Sequence, residues 1–304
     1  MKSISFVAII VIILTAAVSS CGNRKRDKDV IRIAYLPITH ALPLIEAAKD
    51  KEVNIELVKY GSWPELLDAL NTGRVDGASV LIELAMKSKE NGIGLTAVAL
   101  GHRDGNIVVV SNGIHRAEDL RGKSFAIPHR SSSHYILLRD LLLKNHLKLS
   151  DVNIVELAPS EMPSALASNR ISGYCVAEPF GSIGVASGKG HVLYQSDQLW
   201  KNSICCGLVL NDDFIKTHQA LAERFVQVYE KAGKRLKDHQ LALHDLKSII
   251  QQDDHVLEQS LRWIDYSDLS ISKSAYNDLI SKIKAYDIAK TPPSYEQFVK
   301  QNLK

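Results

Sequence analysis

Ala69-Leu-Asn-Thr-Gly-Arg-Val-Asp-Gly77 returns 96 positions later as Ala165-Leu-Ala-Ser-Asn-Arg-Ile-Ser-Gly173. Each copy reads as the end of a helix, a left-handed stop and the entry to a strand. Gly73 takes the stop in the first copy, and Asn169, the next best residue for that conformation, takes it in the second. Upstream, Ser124-Phe-Ala-Ile-Pro128 echoes the strand Ile31-Arg-Ile-Ala-Tyr35 with its Pro37, and Ser131-Ser132-Ser133 stands where the first helix begins. Two copies of a βαβ unit predict two similar lobes and not one continuous sheet.

Working outward from the first copy, Val53 to Tyr60 alternates, with Asn54 and Glu56 facing out and Ile55 and Leu57 facing in, which predicts a half-buried strand. Ser62-Trp63-Pro64-Glu65 predicts a helix start in which Ser62 caps, Pro64 occupies the first turn and Glu65 closes a capping box. Val75 to Leu81 follows as a strand. Leu95–Leu100 and Ile107–Ser111 bracket a polar turn, Gly101 to Asn106, that leads into the second lobe, and Ser203 to Leu210 returns from it. After Asp213 the pattern is helical, with amphipathic runs at 214–236, 245–251, 256–264 and 272–286. The expected architecture is an α/β chain of two lobes, 30–106 with 211–304 and 107–210, joined by two crossing strands.

The chain has 304 residues, 45% hydrophobic and 23% charged, with a net charge of +3, which excludes disorder and argues against a nucleic-acid partner. Lys2 and the apolar run Ile4 to Val18 fit a signal peptide over 1–20, since the run falls short of the ~20 residues that span a bilayer. Val18-Ser-Ser-Cys21 resembles a bacterial lipobox, which makes Cys21 the expected lipid attachment point and 21–29 a polar tether. The expected location is the extracytoplasmic face of the cell membrane.

Those features, with Pro37-x-x-His40-Ala41, Ser62-Trp63-Pro64-Glu65-Leu66-Leu67, Leu120-Arg121-Gly122-Lys123 and Gly173-Tyr-Cys-Val-Ala-Glu-Pro179, resemble the nitrate, taurine, sulfonate and bicarbonate family of ABC-transporter substrate-binding proteins. The chain departs from it at Phe180, where those proteins usually carry Trp. The resemblance implies a two-lobed, type II periplasmic-binding-protein-like fold that closes on a small solute and presents it to an ABC permease and its ATPase. It implies a monomer, no enzymatic activity and no cofactor. The solute it implies is a small anion such as nitrate, bicarbonate or a sulfonate; a planar heterocycle of the thiamine-pyrimidine or flavin kind, or a sensor without transport, is the alternative.

Ligands of open α/β sheets bind beyond the carboxyl ends of the strands. That rule selects His40, Trp63, Ser79 and His102 in the first lobe, and Ser131, Ser132, Ser133, His134 and Glu178 in the second. Each has a plainer reading. His40 and His134 contact solute or face solvent, and Trp63 stacks on a ligand or packs beside the helix start. The three serines offer hydroxyls and free N–H groups to an oxyanion, or one of them caps the helix. Glu178 meets a solute group or a metal ion paired with an anion, or pairs with an arginine. His102, with Arg103, meets an anion or lies in an exposed turn. The four cysteines, at 21, 175, 205 and 206, show no CxxC spacing, so no metal site is expected. Cys205-Cys206 reads as two free buried thiols, with a redox or metal role as the alternative. The absence of GxSxG, HExxH and Gly-rich phosphate motifs leaves no catalytic residue to name.

Overall fold

The computed structural model describes residues 29–303. The expected signal peptide, Cys21 and most of the expected tether lie outside the described residues. In chain order the strands are β1 (Val30–Tyr35), β2 (Asn54–Lys59), β3 (Gly77–Leu81), β4 (Leu95–Leu100), β5 (Arg103–Asp104), β6 (Asn106–Ser111), β7 (Ser124–Ile127), β8 (Asn153–Glu156), β9 (Gly173–Ala177), β10 (Gly190–Gln195), β11 (Cys206–Asn211) and β12 (Ile264–Asp265). They build a sheet of order β2-β1-β3-β11-β4 and a second of order β8-β7-β9-β6-β10, with β5 and β12 paired apart.

The two orders are one pattern used twice. In each sheet a parallel pair, β1·β3 or β7·β9, is followed by a strand that runs antiparallel to it, β11 or β6. That fourth strand lies on the far side of a crossing: β6 is the first strand after the chain enters the second lobe, and β11 the first after it returns. Cys206 to Leu210, which the expected boundary at 210 assigned to the second lobe, therefore pair in the first sheet, between β3 and β4.

Sequence explains the layering. The central strands β3 and β9 are buried at every residue and consist of small or apolar side chains. β2, at an edge, keeps the alternation seen in the sequence, with Asn54 and Glu56 exposed. The helices that follow strands of the first lobe are α1 (Leu42–Ala47), α2 (Trp63–Asn71) and α3 (Ile82–Glu90); those of the second are α4 (Ser133–Lys144), α5 (Met162–Ala167) and α6 (Phe180–Ala186). Both stops in the repeat are left-handed, Gly73 at φ 66° and Asn169 at φ 58°. The bonds around them match: Arg74 N–H reaches the carbonyl of Ala69 at 3.0 Å, and Arg170 N–H that of Ala165 at 2.9 Å.

The C-terminal helices are α7 (Gln219–Arg235), α8 (His239–Ile249), α9 (Asp254–Ser260) and α10 (Lys273–Ala285). They straddle both lobes instead of lying on the first alone. α7 and α8 pack on α1, α9 packs on α6, and Lys282 of α10 pairs with Asp140 of α4 at 2.8 Å. The predicted capping box at α2 does not form: Ser62 holds the N-cap position, but its side chain accepts no cap hydrogen bond. Pro64 removes one of the two N–H groups a cap could use. Among the described residues no helix is long and apolar enough to cross a membrane.

Candidate functional site

The loop after β1 and the two crossings meet at one place. His40 lies in a single 3-10 turn, Thr39–Ala41, just beyond β1. Gly101 opens the first crossing, and a Cβ there would sit 2.7 Å from the His40 carbonyl oxygen, so only glycine lets these backbones approach so closely. The approach stacks the rings of His40 and His102 at a centroid distance of 3.4 Å and an interplanar angle of 22°. Left-handed Asp104 and Gly105 then turn the chain toward β6. The second crossing is anchored by Ile82 N–H to the Cys205 carbonyl and by Gly101 N–H to that of Cys206.

His40, His102, Cys205 and Cys206 are all buried, and one ligating atom from each lies within 4.8 Å of the others. His40 Nδ1 is 3.4 Å from Cys206 Sγ and 3.8 Å from Cys205 Sγ, and the two sulfurs are 3.8 Å apart. All three folded-region cysteines are free. The other histidine nitrogens are committed to backbone: His40 Nε2 lies 3.3 Å from the Gly105 carbonyl and His102 Nδ1 2.6 Å from that of Asp104. A carbonyl only accepts, so those nitrogens carry the protons, and the lone pairs of His40 Nδ1 and His102 Nε2 face inward. Cys206 N–H donates to His102 Nε2 at 3.4 Å.

Burial sets the charge states. It lowers His40 to about 4, with His102 adding to the effect, and it lowers His134. The Glu83 carboxyl, the first-turn acid of α3, is held well above the usual carboxylate range by burial, only partly offset by backbone N–H groups including that of Ser133. Its two oxygens meet no well-aligned hydrogen-bond partner. At Cys205 burial raises the thiol, but the Cys206 hydrogen bond and His134 and His40 together bring it well below its ordinary value; burial and Cys205 push Cys206 up.

The sequence-selected residues divide. His40 and His102 join the cluster, so the turn holding His102 is buried and not exposed. His134 is also buried, with neither ring nitrogen hydrogen-bonded, and so is Ser133, whose hydroxyl has no partner. Ser132 is the N-cap of α4: its hydroxyl donates to the His129 carbonyl at 2.6 Å and accepts from Tyr135 N–H at 3.3 Å. Ser131 spends its N–H on His129 Nδ1. Ser79 sits inside β3 opposite Leu208, not in a loop, because α3 begins directly after the strand. Trp63 is buried in the core, its indole N–H without a partner. Glu178 is buried but engaged with Ser182, whose N–H and hydroxyl donate to it at 2.8 and 2.9 Å, and it borders a separate cavity of about 200 Å³ with Ile107, His255 and Trp263.

Cys205, Cys206, Glu83 and Asn106 complete the buried polar set, and sequence reasoning selected none of them as site residues. Asn106 Oδ1 lies 3.8 Å from Cys205 Sγ. The available signals were the adjacent Cys205-Cys206 pair, whose metal or redox role was the alternative to two free thiols, and its position on the strand-like return at 203–210.

Residues 24–245 match the model of the NMT1-like family. The ligand-binding component of an ABC-type import system from Staphylococcus aureus, crystallised with zinc bound, is 40% identical, with a TM-score of 0.87 over 90% of this chain and 97% of that one. A putative aliphatic sulfonates-binding protein of Bacillus subtilis (strain 168) is 26% identical over 276 residues, 86% of this chain and 82% of that protein. The nitrate import ATP-binding protein NrtC of Synechocystis sp. is 27% identical over 246 residues, 70% of this chain, and the chain spans 36% of that protein's length. The two-lobed periplasmic-binding-protein-like fold expected from sequence is thus shared with a solved import component, and the chain belongs to the NMT1-like family.

Proposed function

We propose that the chain is the extracytoplasmic solute-binding component of an ABC importer, held at the membrane by a lipid on Cys21 and handing a small solute to a permease driven by an ATPase. One observation carries the reading. Polar side chains from both lobes and both crossings converge in the buried interior. His40 and Glu83 come from the first lobe, Ser133 and His134 from the second, and His102, Asn106 and Cys205 from the crossings, all buried. Unpaired buried polar groups cost stability, so a set such as Glu83, Ser133, Asn106 and His134 calls for an occupant. Binding across two lobes favours the closed form by population shift. The relatives' names carry nitrate and aliphatic sulfonates, which makes small anions of that kind the first solutes to test.

The test is reconstitution of the full lipidated chain with its permease and ATPase in vesicles. Nitrate, bicarbonate, taurine, alkanesulfonates and metal ions are supplied one at a time. The expected result is chain-dependent uptake of one of them with stimulated ATP hydrolysis. Uptake of none of them, from vesicles whose ATPase is active, overturns the reading.

A further inference from the structure

Among the described residues no lysine or arginine is buried, so the buried cluster of His40, His102, Cys205 and Cys206 includes no guanidinium or ammonium to balance negative charge. What it holds are nitrogen and sulfur donors. A tetrahedral site with bonds of about 2.0–2.1 Å to imidazole nitrogen and about 2.3 Å to sulfur spaces its ligand atoms about 3.3–3.8 Å apart. The measured separations, 3.4 Å for His40 Nδ1 to Cys206 Sγ and 3.8 Å for Cys205 Sγ to both His40 Nδ1 and Cys206 Sγ, are the edges of such a tetrahedron.

We propose that His40, His102, Cys205 and Cys206 bind a thiophilic d10 metal ion, Zn2+ or Cu+, and that this ion is the solute the cleft carries. The proposal rests on the importer reading for its cargo role only. Three features support it. The carbonyls of Gly105 and Asp104 hold the proton of each imidazole on its outer nitrogen, the outer-shell arrangement that orients metal-bound histidines; this turns the His40 Nδ1 lone pair to the thiols and leaves His102 Nε2 only a long 3.4 Å bond from Cys206 N–H, which a metal ion would displace. The four donors come from three segments, the β1 loop and both crossings, which the Gly101 N–H bond to the Cys206 carbonyl and the close approach of Gly101 to the His40 carbonyl hold together. His134 and Glu83, buried like the four, keep their side-chain nitrogens and oxygens out of any well-aligned hydrogen bond. Binding converts both thiols to thiolates and releases their protons to solvent; no oxidant is involved.

The experiment uses the full chain, purified in detergent, reduced and free of oxygen. Zn2+ is titrated against a chelator, Cu+ against a copper(I)-specific chelator, and Co2+ serves as a spectroscopic probe. One ion per chain, with Co2+ giving thiolate-to-metal charge transfer and tetrahedral visible bands, is expected. The charge transfer disappears in the Cys205→Ser, Cys206→Ser double variant. Affinity falls more than about 100-fold in His40→Ala, beyond what loss of an outer-shell partner costs. The metal-free melting temperature of each variant controls for folding, and the Co2+ spectrum of the unaltered chain needs no variant.

A reduced chain that binds neither ion, a Co2+ spectrum without thiolate character, or affinity unchanged by both variants overturns the site. A Cys205–Cys206 disulfide in protein isolated without reductant overturns it as well. In vesicles, uptake of the metal supports the cargo role. Uptake of an anion by a metal-free chain overturns the proposal and leaves the importer standing. Metal binding without uptake of any solute overturns the cargo role together with the importer.

Discussion

The carbonyl oxygen of Glu178 accepts two hydrogen bonds from Thr39, one from the backbone N–H at 2.9 Å and one from the hydroxyl at 2.8 Å. Thr39 belongs to the first lobe and Glu178 directly follows β9 of the second, so this pair latches the lobes beside the His40 cluster. Tyr266 holds the latch from behind, its hydroxyl donating to the Thr39 carbonyl at 2.9 Å. Thr39→Val keeps the N–H bond and loses the other, at a cost of about 1 kcal/mol. The expected outcome is a small loss of thermal stability with a larger radius of gyration by small-angle scattering in the absence of solute. An unchanged radius would show that the latch does not govern closure.

Glu178 also governs a pH dependence. Burial raises its carboxyl to about 7, the two Ser182 hydrogen bonds and the Gly181 N–H offsetting only part of the effect. An acid whose pKa is higher in the folded than in the unfolded chain binds its proton more tightly when folded. Stability is therefore greatest below the unfolded value of about 4.5 and declines as pH rises toward 7, by about 3 kcal/mol in all. Glu178→Gln, neutral at every pH and able to accept the Ser182 N–H, should remove this decline. Melting curves from pH 4 to pH 8 check it: equal slopes for the two proteins between about pH 5 and pH 7 would refute the assignment.

Much of the fold was legible because its punctuation is local. Gly73 and Asn169 signal helix stops through their own backbone preferences, and small or apolar runs such as Gly77–Leu81 signal buried central strands. The lobe boundary near 206 was less so, because β11 reads equally well as a strand of either sheet and only its pairing with β3 and β4 decides. Of the site, the loop-after-strand rule reached His40, His102 and His134. It missed Cys205, Cys206 and Glu83 for a physical reason: proximity is a property of space, and the cluster of His40, His102, Cys205 and Cys206 draws on three segments that no sequence interval connects. Glu83 reads as an ordinary first-turn acid of a surface helix until packing buries it. At Ser62 a capping motif was present without the bond.

Ser132 and Ser133 are neighbours with different tasks, and substitution should separate them. The Ser132 hydroxyl caps α4, so Ser132→Ala should cost about 1 kcal/mol of stability and leave the affinity for bound ion or solute nearly unchanged. The Ser133 hydroxyl is buried without a partner. Ser133→Ala relieves an unsatisfied group, so stability should hold or rise while affinity falls. Denaturant melts paired with titrations distinguish the two. The same direction of change in both variants would place both hydroxyls in one role.

The repeat makes a last prediction about two glycines that open corresponding strands. At Gly77 a Cβ would lie 2.6 Å from the Val209 carbonyl oxygen and 2.5 Å from Leu210 Cδ2, and the first of these atoms belongs to the backbone of β11, which cannot move without distorting the sheet. At Gly173 the nearest atoms are side chains, Phe125 and Val110 at 3.0 Å, which can shift by a few tenths of an ångström. Gly77→Ala should therefore cost toward the upper end of the 1–3 kcal/mol typical of overpacking, roughly 2–3 kcal/mol, and Gly173→Ala about 1 kcal/mol. The left-handed stops should differ as well. Gly73→Ala forces a Cβ into a conformation that costs roughly 1–2 kcal/mol, whereas Asn169→Gly should be neutral or stabilising. Equilibrium unfolding of the four variants measures all of this in one series. Equal losses at Gly77 and Gly173 would mean that contact with the β11 backbone is not what distinguishes the two copies.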